Sequence, residues 1–273
     1  VEQSVAAWRA AAREALRQSG VSAADLEVQV LAAAALGKDR TYVLTHGDAP
    51  IPNSAHELLG RRLRGEPLAY ILGYREFCGR SFSVHAPILV PRHETEHVVE
   101  TALARFDGQP RCVVDAGCGS GIIGVTLALE RPNWRVLGID RSKAATRLTK
   151  ANASALGARV EVVLGDWLGA IADGCVDLVV TNPPYIVDGF DLPDEVARWE
   201  SPEALYAGPD GLAAYRILAR QAARVLRPGG ALVGEIGFDQ GGSASDLFRA
   251  QGWKDVRVET DLAGHPRVIV AHR

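Results

Sequence analysis

The chain has 273 residues, 47% of them apolar and 23% charged, with a formal net charge of −3. That is the composition of an ordinary globular protein with enough material for one large domain or two smaller ones, and the near-balanced charge excludes a molecule-wide polyanion-binding surface. The four cysteines (Cys78, Cys112, Cys118 and Cys175) contain no C-x-x-C pair, so neither a zinc site nor a disulfide framework is expected. No apolar run approaches the ~18 residues of a membrane span and no signal peptide is read at the start, so a cytoplasmic location is expected.

Residues 1–73 read as a helical domain. Val5, Trp8, Ala12 and Leu16 recur at helical spacing, followed by Leu26, Val30, Leu31 and Ala34 and closed by Gly37. Ser22 stands where an N-cap belongs, with Asp25 three residues on, close to a capping box. Pro50, Pro52 and Asn53 interrupt the pattern, and Ser54–Leu63 resumes it. The basic cluster Arg61-Arg62-Leu63-Arg64 is most simply a solvated helix face. Between residues 74 and 91 the pattern changes to Phe82-Ser-Val84 and Ile88-Leu-Val90 around Ala86-Pro87, which predicts a β-hairpin linking two domains.

Residues 92–273 form the second domain. Beyond residue 110, short apolar strands alternate with helices. Strands are predicted at Cys112–Asp115, Arg135–Ile139, Val160–Leu164, Val176–Val180 and Ala231–Glu235, and helices over Ile122–Glu130 and Ser142–Leu156. That alternation implies a parallel sheet covered on both faces. Val256–Val258 and Arg267–Val270, joined by a short Asp/Gly/Pro-containing turn, predict an antiparallel hairpin at one edge. The expected architecture is a seven-stranded, doubly wound α/β sheet with its last strand antiparallel.

The first of these strands runs into Asp115-Ala-Gly117-Cys118-Gly119-Ser120-Gly121. Glycines let a backbone approach a ligand closely and leave helix N-terminal amides free to bind it. Gly119-x-Gly121-x-x-Gly124 also satisfies the dinucleotide fingerprint, a weak signal alone. Asp115 argues for another ligand, because a carboxylate before the first glycine repels a pyrophosphate and attracts a cationic amino acid moiety. Asp140, 19 residues beyond Gly121, is placed to accept ribose hydroxyls, a role that a nicotinamide dinucleotide would share.

The fourth strand runs into Asn182-Pro183-Pro184-Tyr185. In a sheet whose order reverses beside the first strand, the first and fourth strands are neighbours, so this loop and the glycine loop face one crevice. Prolines donate no hydrogen bond and hold φ near −65°, and each pushes the preceding residue into an extended conformation. The expected result is a rigid loop that presents the Asn182 side-chain oxygen and the Pro183 carbonyl beside the Tyr185 ring. That set suits a planar –NH₂ group, with both N–H bonds accepted and the attached π-system stacked.

The D-x-G-x-G-x-G loop followed by Asn182-Pro-Pro-Tyr185 resembles an S-adenosylmethionine-dependent amino methyltransferase. Further stretches resemble the release-factor glutamine N5-methyltransferases, the PrmC/HemK family. They are Gly65–Gly73, Val90–Glu96, Asn152-Ala153, Gly165-Asp-Trp167, Gly211-Leu212, Glu235-Ile-Gly237, and Asp261–Gly264 followed by Arg267. The resemblance runs from about residue 60 to the end. Three positions depart from the family pattern: His93 replaces the second proline of P-R-P-E-T-E, Cys118 stands in the glycine loop, and Pro209 lies in Gly208–Leu212.

The resemblance implies that S-adenosylmethionine donates a methyl group and leaves as S-adenosylhomocysteine. The acceptor it implies is the glutamine of Gly-Gly-Gln in class I peptide-chain release factors. Asp115, Gly117, Cys118, Gly119, Ser120, Gly121, Asp140, Trp167 and Asn182 would hold the cofactor, with Trp167 flanking the adenine. Asn182, Pro183, Pro184 and Tyr185 would hold the substrate, and Asn182, Pro183 and Tyr185 would serve catalysis. Residues 1–73 would dock the substrate. No metal, membrane or stable nucleic-acid partner is expected. A DNA adenine-N6 methyltransferase would use the same Asn-Pro-Pro-Tyr logic but needs a basic duplex-binding face, whereas residues 1–80 carry 10 Lys/Arg against 9 Asp/Glu. A glutamine of a ribosomal protein is the nearest rival substrate. A nicotinamide oxidoreductase is disfavoured by Asp115, and a non-catalytic scaffold has no use for Asn182 beside Tyr185.

Overall fold

The structure, a computed structural model, describes residues 3–106, 108–109 and 111–273. The chain divides into two units: one holds residues up to Tyr74 together with Pro193–Trp199, the other holds Arg75–Leu192 and Glu200–Arg273.

The first unit is helical, with α1 (Val5–Gln18), α2 (Ala24–Leu36), α3 (Arg40–Thr45), α4 (Asn53–Leu63) and α5 (Leu68–Leu72). Val5, Trp8, Ala12 and Leu16 line the buried face of α1, at the spacing that brings one stripe of a helix to the core. Ser4 caps α1 by accepting from the Ala7 N–H, and Gly37 ends α2 in the left-handed conformation that a side chain would strain. On α2 the buried face is Ala24, Val28, Leu31 and Ala32, whereas Leu26 is 45% exposed. The expected cap at Ser22 does not form. Ala23 occupies the cap position, and Asp25 pairs with Arg13 and Arg17 of α1 instead. Two ion pairs from neighbouring helix positions draw that carboxylate away from the backbone.

The expected solvated face at Arg61–Arg64 is also corrected. Arg62 is only 7% exposed and bridges Glu27 at 2.6 Å and Glu195 of Pro193–Trp199 at 2.8 Å, while Arg61 binds Glu66. Two carboxylates distant in sequence make burial of that guanidinium tolerable.

A hairpin follows, β1 (Tyr74–Phe77) and β2 (Arg80–Ser83), which belongs to the second unit from Arg75 on. It lies within the expected segment but pairs different residues, and Ile88–Val90 is irregular. Its two-residue turn places Cys78 at φ 47° and Gly79 at φ 69°, the left-handed pair that matches the twist of the flanking strands. Phe77 and Phe82 then pack edge to face beneath it.

After α6 (Glu96–Arg105), the described residues build one seven-stranded sheet from β3 (Cys112–Ala116), β4 (Arg135–Asp140), β5 (Val160–Leu164), β6 (Val176–Thr181), β7 (Leu226–Glu235), β8 (Lys254–Thr260) and β9 (Pro266–His272). Their order is β5-β4-β3-β6-β7-β9-β8. The pairs from β5 to β7 are parallel. β9 runs antiparallel between β7 and β8, so the closing hairpin inserts its second strand inside the sheet and leaves β8 at the edge.

Alternate strand residues separate two cores. Val113, Leu178, Val180 and Val233 face α6 and α7 (Ile122–Glu130). Val114, Val179, Leu232 and Ile269 face α11 (Ala213–Val225) and α12 (Gly241–Ala250). α8 (Lys143–Leu156) adds Ala153 to the first core, and α9 (Asp194–Ala197) and α10 (Pro202–Leu205) are single turns. The order reverses between β3 and β6, which pair directly through Val113↔Leu178 to Asp115↔Val180. Loops leaving those two strands therefore rise side by side. No helix among the described residues is long and apolar enough to cross a membrane.

Candidate active site

Two loops meet at that switch point. The Thr181 hydroxyl, fully buried at the end of β6, donates to the Ala116 carbonyl at the end of β3 at 2.7 Å. This latch sets the spacing between Asp115–Gly121 and Asn182–Tyr185. The amides of Gly117 and Cys118 donate to the Ile139 carbonyl, and the Gly119 N–H donates to Asp140 Oδ2 at 2.9 Å. Asp140 Oδ1 accepts from Ser142, which also caps α8 through its hydroxyl. The glycine loop is thus drawn onto the end of β4, and Asp140 is held at its rim.

A cavity of about 470 Å³ opens over these loops. Gly117, Gly119, Asp140, Trp167, Asn182 and Pro184 line it, with Pro87–Leu89 and Ser201, Glu203, Ala204 and Tyr206–Gly208 as further wall. Six of the expected residues therefore share one cavity. The other six do not line its wall. Asp115, Cys118, Ser120 and Pro183 are buried, Gly121 forms the N-cap of α7, and Tyr185 is half-buried. Trp167 stands over the glycine loop: a Cβ on Gly117 would sit 3.1 Å from its ring, and only glycine permits that approach at φ 76°. Exposed His93 starts a 3-10 turn and lies off the cavity wall.

Asp115 is the electrostatic centre of the glycine loop. One oxygen accepts from the Gly124 N–H at 2.8 Å, and the other is buried without a partner among the described residues. Burial pushes its pKa up to about 7, the Gly124 hydrogen bond opposes that, and the charge of Asp140 adds to it. A buried acceptor without a donor is costly. When ionised, it favours a cationic group above the loop through its charge.

Behind Asn182–Tyr185 stands a chain of hydrogen bonds that motif reading missed. Asn182 Nδ2 donates to Thr95 Oγ1 at 3.0 Å, and Thr95 Oγ1 donates to Glu235 Oε2 at 2.6 Å. The Tyr185 hydroxyl donates to the other Glu235 oxygen at 3.1 Å. Burial, then the neighbouring Glu235 carboxylate, push the Tyr185 pKa well above the usual phenol range, so this ring is no phenolate base. Burial likewise raises Glu235, with the Thr95 and Tyr185 hydrogen bonds opposing. Gln240 Nε2 donates to the Tyr185 carbonyl at 2.9 Å and also to Gly211, fixing the loop's exit. Thr95 and Glu235 fall inside two stretches that carry the family resemblance, Val90–Glu96 and Glu235–Gly237, the one sequence signal that marked them.

The cavity suits S-adenosylmethionine. The glycines leave room against the loop, Asp140 offers carboxylate oxygens at the rim, and Asp115 leaves a buried acceptor facing no donor. Its volume lies within the ~300–1,000 Å³ typical of small-molecule sites. Fold and site together define a class: a Rossmann-like methyltransferase that uses S-adenosylmethionine.

The comparisons narrow that class. Residues 7–73 match the model of the PrmC N-terminal domain, and residues 95–198 match the methyltransferase small domain. The release factor glutamine methyltransferase of Geobacter sulfurreducens is 40% identical over 260 residues, covering 93% of this chain and 91% of that one. That of Bordetella pertussis is 43% identical over 252 residues, covering 89% and 93%. Among solved structures, a methyltransferase from Pyrococcus furiosus superposes with a TM-score of 0.55 at 14% identity over 71% of this chain and 89% of that one, a likeness of fold. The chain belongs to the release factor glutamine methyltransferase family.

Proposed function

We propose that this chain methylates the side-chain amide nitrogen of the glutamine in the Gly-Gly-Gln motif of class I release factors. Family membership supports the substrate, and the observation that carries the chemistry is the Asn182 amide, which lines the cavity while its NH₂ end is tied back to Thr95. When bound, S-adenosylmethionine supplies an electrophilic sulfonium methyl and leaves as S-adenosylhomocysteine. Asp115, Gly117–Gly121, Asp140 and Trp167 hold it in this reading.

An amide nitrogen is a poor nucleophile because its lone pair is delocalised into the carbonyl. Asn182 Oδ1 and the Pro183 carbonyl accept the two N–H bonds of the target and aim the lone pair, as it localises, at the methyl. The Tyr185 ring stacks on the amide plane, and Pro184 narrows the approach. Orientation of this kind lowers a barrier by up to ~7–11 kcal/mol. The N-methylated product carries a strongly acidic N–H, so it sheds a proton after transfer and no prior base is needed. By this reading the chain works in the cytoplasm, where release factors act.

Incubation with methyl-labelled S-adenosylmethionine, a class I release factor, its Gly-Gly-Gln→Gly-Gly-Ala variant and duplex DNA tests the proposal. Label is expected in the unmodified factor alone. Label in DNA but not in the factor would reject it in favour of an adenine-N6 activity.

A further inference from the structure

The two polar ends of the Asn182–Tyr185 loop converge on one carboxylate outside the cavity. Thr95 and Glu235 are 0% and 1% exposed, and neither lines the cavity wall. Thr95 closes the 3-10 turn His93–Thr95 before α6, and Glu235 is the last residue of β7, the strand paired with β6 up to Thr181↔Gly234. The link Asn182 Nδ2 to Thr95 Oγ1 to Glu235 Oε2 therefore joins three separate elements through short hydrogen bonds of 3.0 and 2.6 Å. A structural clamp on the loop would need only that some bond exist. Here the direction of each bond matters as well.

A carboxylate accepts and never donates, and a hydroxyl has a single proton. Glu235 accepts the Thr95 hydroxyl hydrogen bond on one oxygen and the Tyr185 phenol hydrogen bond on the other. Thr95 is left to face Asn182 with a lone pair. Only the NH₂ end of the Asn182 amide satisfies a lone pair, so the amide cannot turn end for end without setting oxygen against oxygen. Its Oδ1 then points away from Thr95, on a residue that lines the cavity.

We propose that Thr95 and Glu235 are positioning residues that fix the polarity of the Asn182 amide, so that the cavity meets an acceptor and not a donor. The inference rests on the reading of Asn182 as acceptor for the target –NH₂, and it adds the device that enforces it. The same polarity selects the kind of substrate atom admitted: a primary amide or amine nitrogen is held, and a group that only accepts is turned away. Reversing the amide would reverse that choice.

The test measures kcat per folded molecule on a release factor at saturating S-adenosylmethionine, with cofactor affinity by calorimetry. The variants are Thr95→Val, Thr95→Ala, Thr95→Ser, Glu235→Leu, Asn182→Ala and the double variant Asn182→Ala/Thr95→Val. Thr95→Val, Thr95→Ala and Glu235→Leu are expected to lower kcat by at least about tenfold while cofactor affinity stays within about twofold, the signature of an interaction that matters in the transition state. Thr95→Ser, which keeps the hydroxyl, retains most of the rate. In the Asn182→Ala background Thr95→Val adds no further loss, because the group it positions is gone.

Outcomes against the proposal separate cleanly. Asn182→Ala impaired while Thr95→Val, Thr95→Ala and Glu235→Leu turn over at the parent rate defeats the positioning role and leaves the reading of Asn182 intact. An equal Thr95→Val loss with and without Asn182 also defeats it, since the effect would not pass through that amide. Asn182→Ala at the parent rate defeats the reading itself, and the inference falls with it.

Discussion

Asn182 carries the sharpest expectation at the scale of single residues. Asn182→Ala should lower kcat by roughly 10²–10³, the usual consequence of losing one preorganised polar group, with much less change in cofactor binding. Asn182→Asp keeps two acceptor oxygens but loses the N–H that reaches Thr95, so partial activity should survive. Turnover per folded molecule for both variants is the check, and equal, near-parental rates would reject the role. Asp115 gives a second expectation, in pH. Its folded pKa of about 7 lies above the 3.8 of an ordinary aspartate, so between those values the folded protein holds a proton that the unfolded chain has lost. The stability this group contributes is fully present below about pH 4 and is lost as pH rises through about 7. Asp115→Asn should therefore raise the melting temperature of the cofactor-free protein more at pH 8 than at pH 5. An equal shift at both pH values in differential scanning fluorimetry would contradict the account.

Elements set the position of these residues, and two sites test that. Gly211, at φ 69° before α11, lies against the loop exit: a Cβ there would sit 2.3 Å from the Tyr185 carbonyl oxygen and 2.5 Å from Gln240 Nε2. Gly211→Ala must push the backbone at Tyr185 and break the Gln240 clamp. Activity should fall at least about tenfold, since small misplacements of reacting groups are expensive, and cofactor binding should hardly change. Unchanged kcat would show that the loop tolerates displacement. In the helical unit, Arg62 joins α4 to Glu27 of α2 and to Glu195 of α9. Arg62→Ala should cost about 3–5 kcal/mol in denaturant unfolding, because it strands a half-buried carboxylate, whereas Arg62→Met with Glu27→Leu should recover most of that loss.

The whole molecule has to handle a protein substrate as well as one glutamine. The residues proposed for cofactor and amide chemistry all lie in the second unit, while residues 7–73 match the PrmC N-terminal domain. Specific protein partners need roughly 800 Å² of contact each, far beyond one side chain, and the helical unit is the proposed source of that contact. The chain starting at Tyr74 should bind S-adenosylmethionine normally but methylate an intact release factor with kcat/KM at least about tenfold lower. Its rate on a short Gly-Gly-Gln peptide should match that of the full chain. Equal losses on peptide and factor would point to a damaged active site, and no loss on either would remove the docking role.

The sheet, its seven strands and its crevice were legible in the sequence because buried parallel strands are short apolar runs and ligand loops are written in glycine and proline, both local signals. Asp115–Gly121, Asp140 and Asn182–Tyr185 stood out for the same reason: each joins a strand end to a residue type with one chemical use. Ser22, Arg62 and the hairpin at residues 74–83 were misread because their outcome depends on partners elsewhere. Asp25 bonds across to α1, Arg62 finds carboxylates 35 and 133 positions away, and the turn at Cys78-Gly79 competed with a more obvious proline. The link from Asn182 through Thr95 to Glu235 spans 87 and then 140 positions. No periodicity encodes such a link. A threonine and a glutamate become a single device only when the fold closes them away from water, where each proton has one place to go.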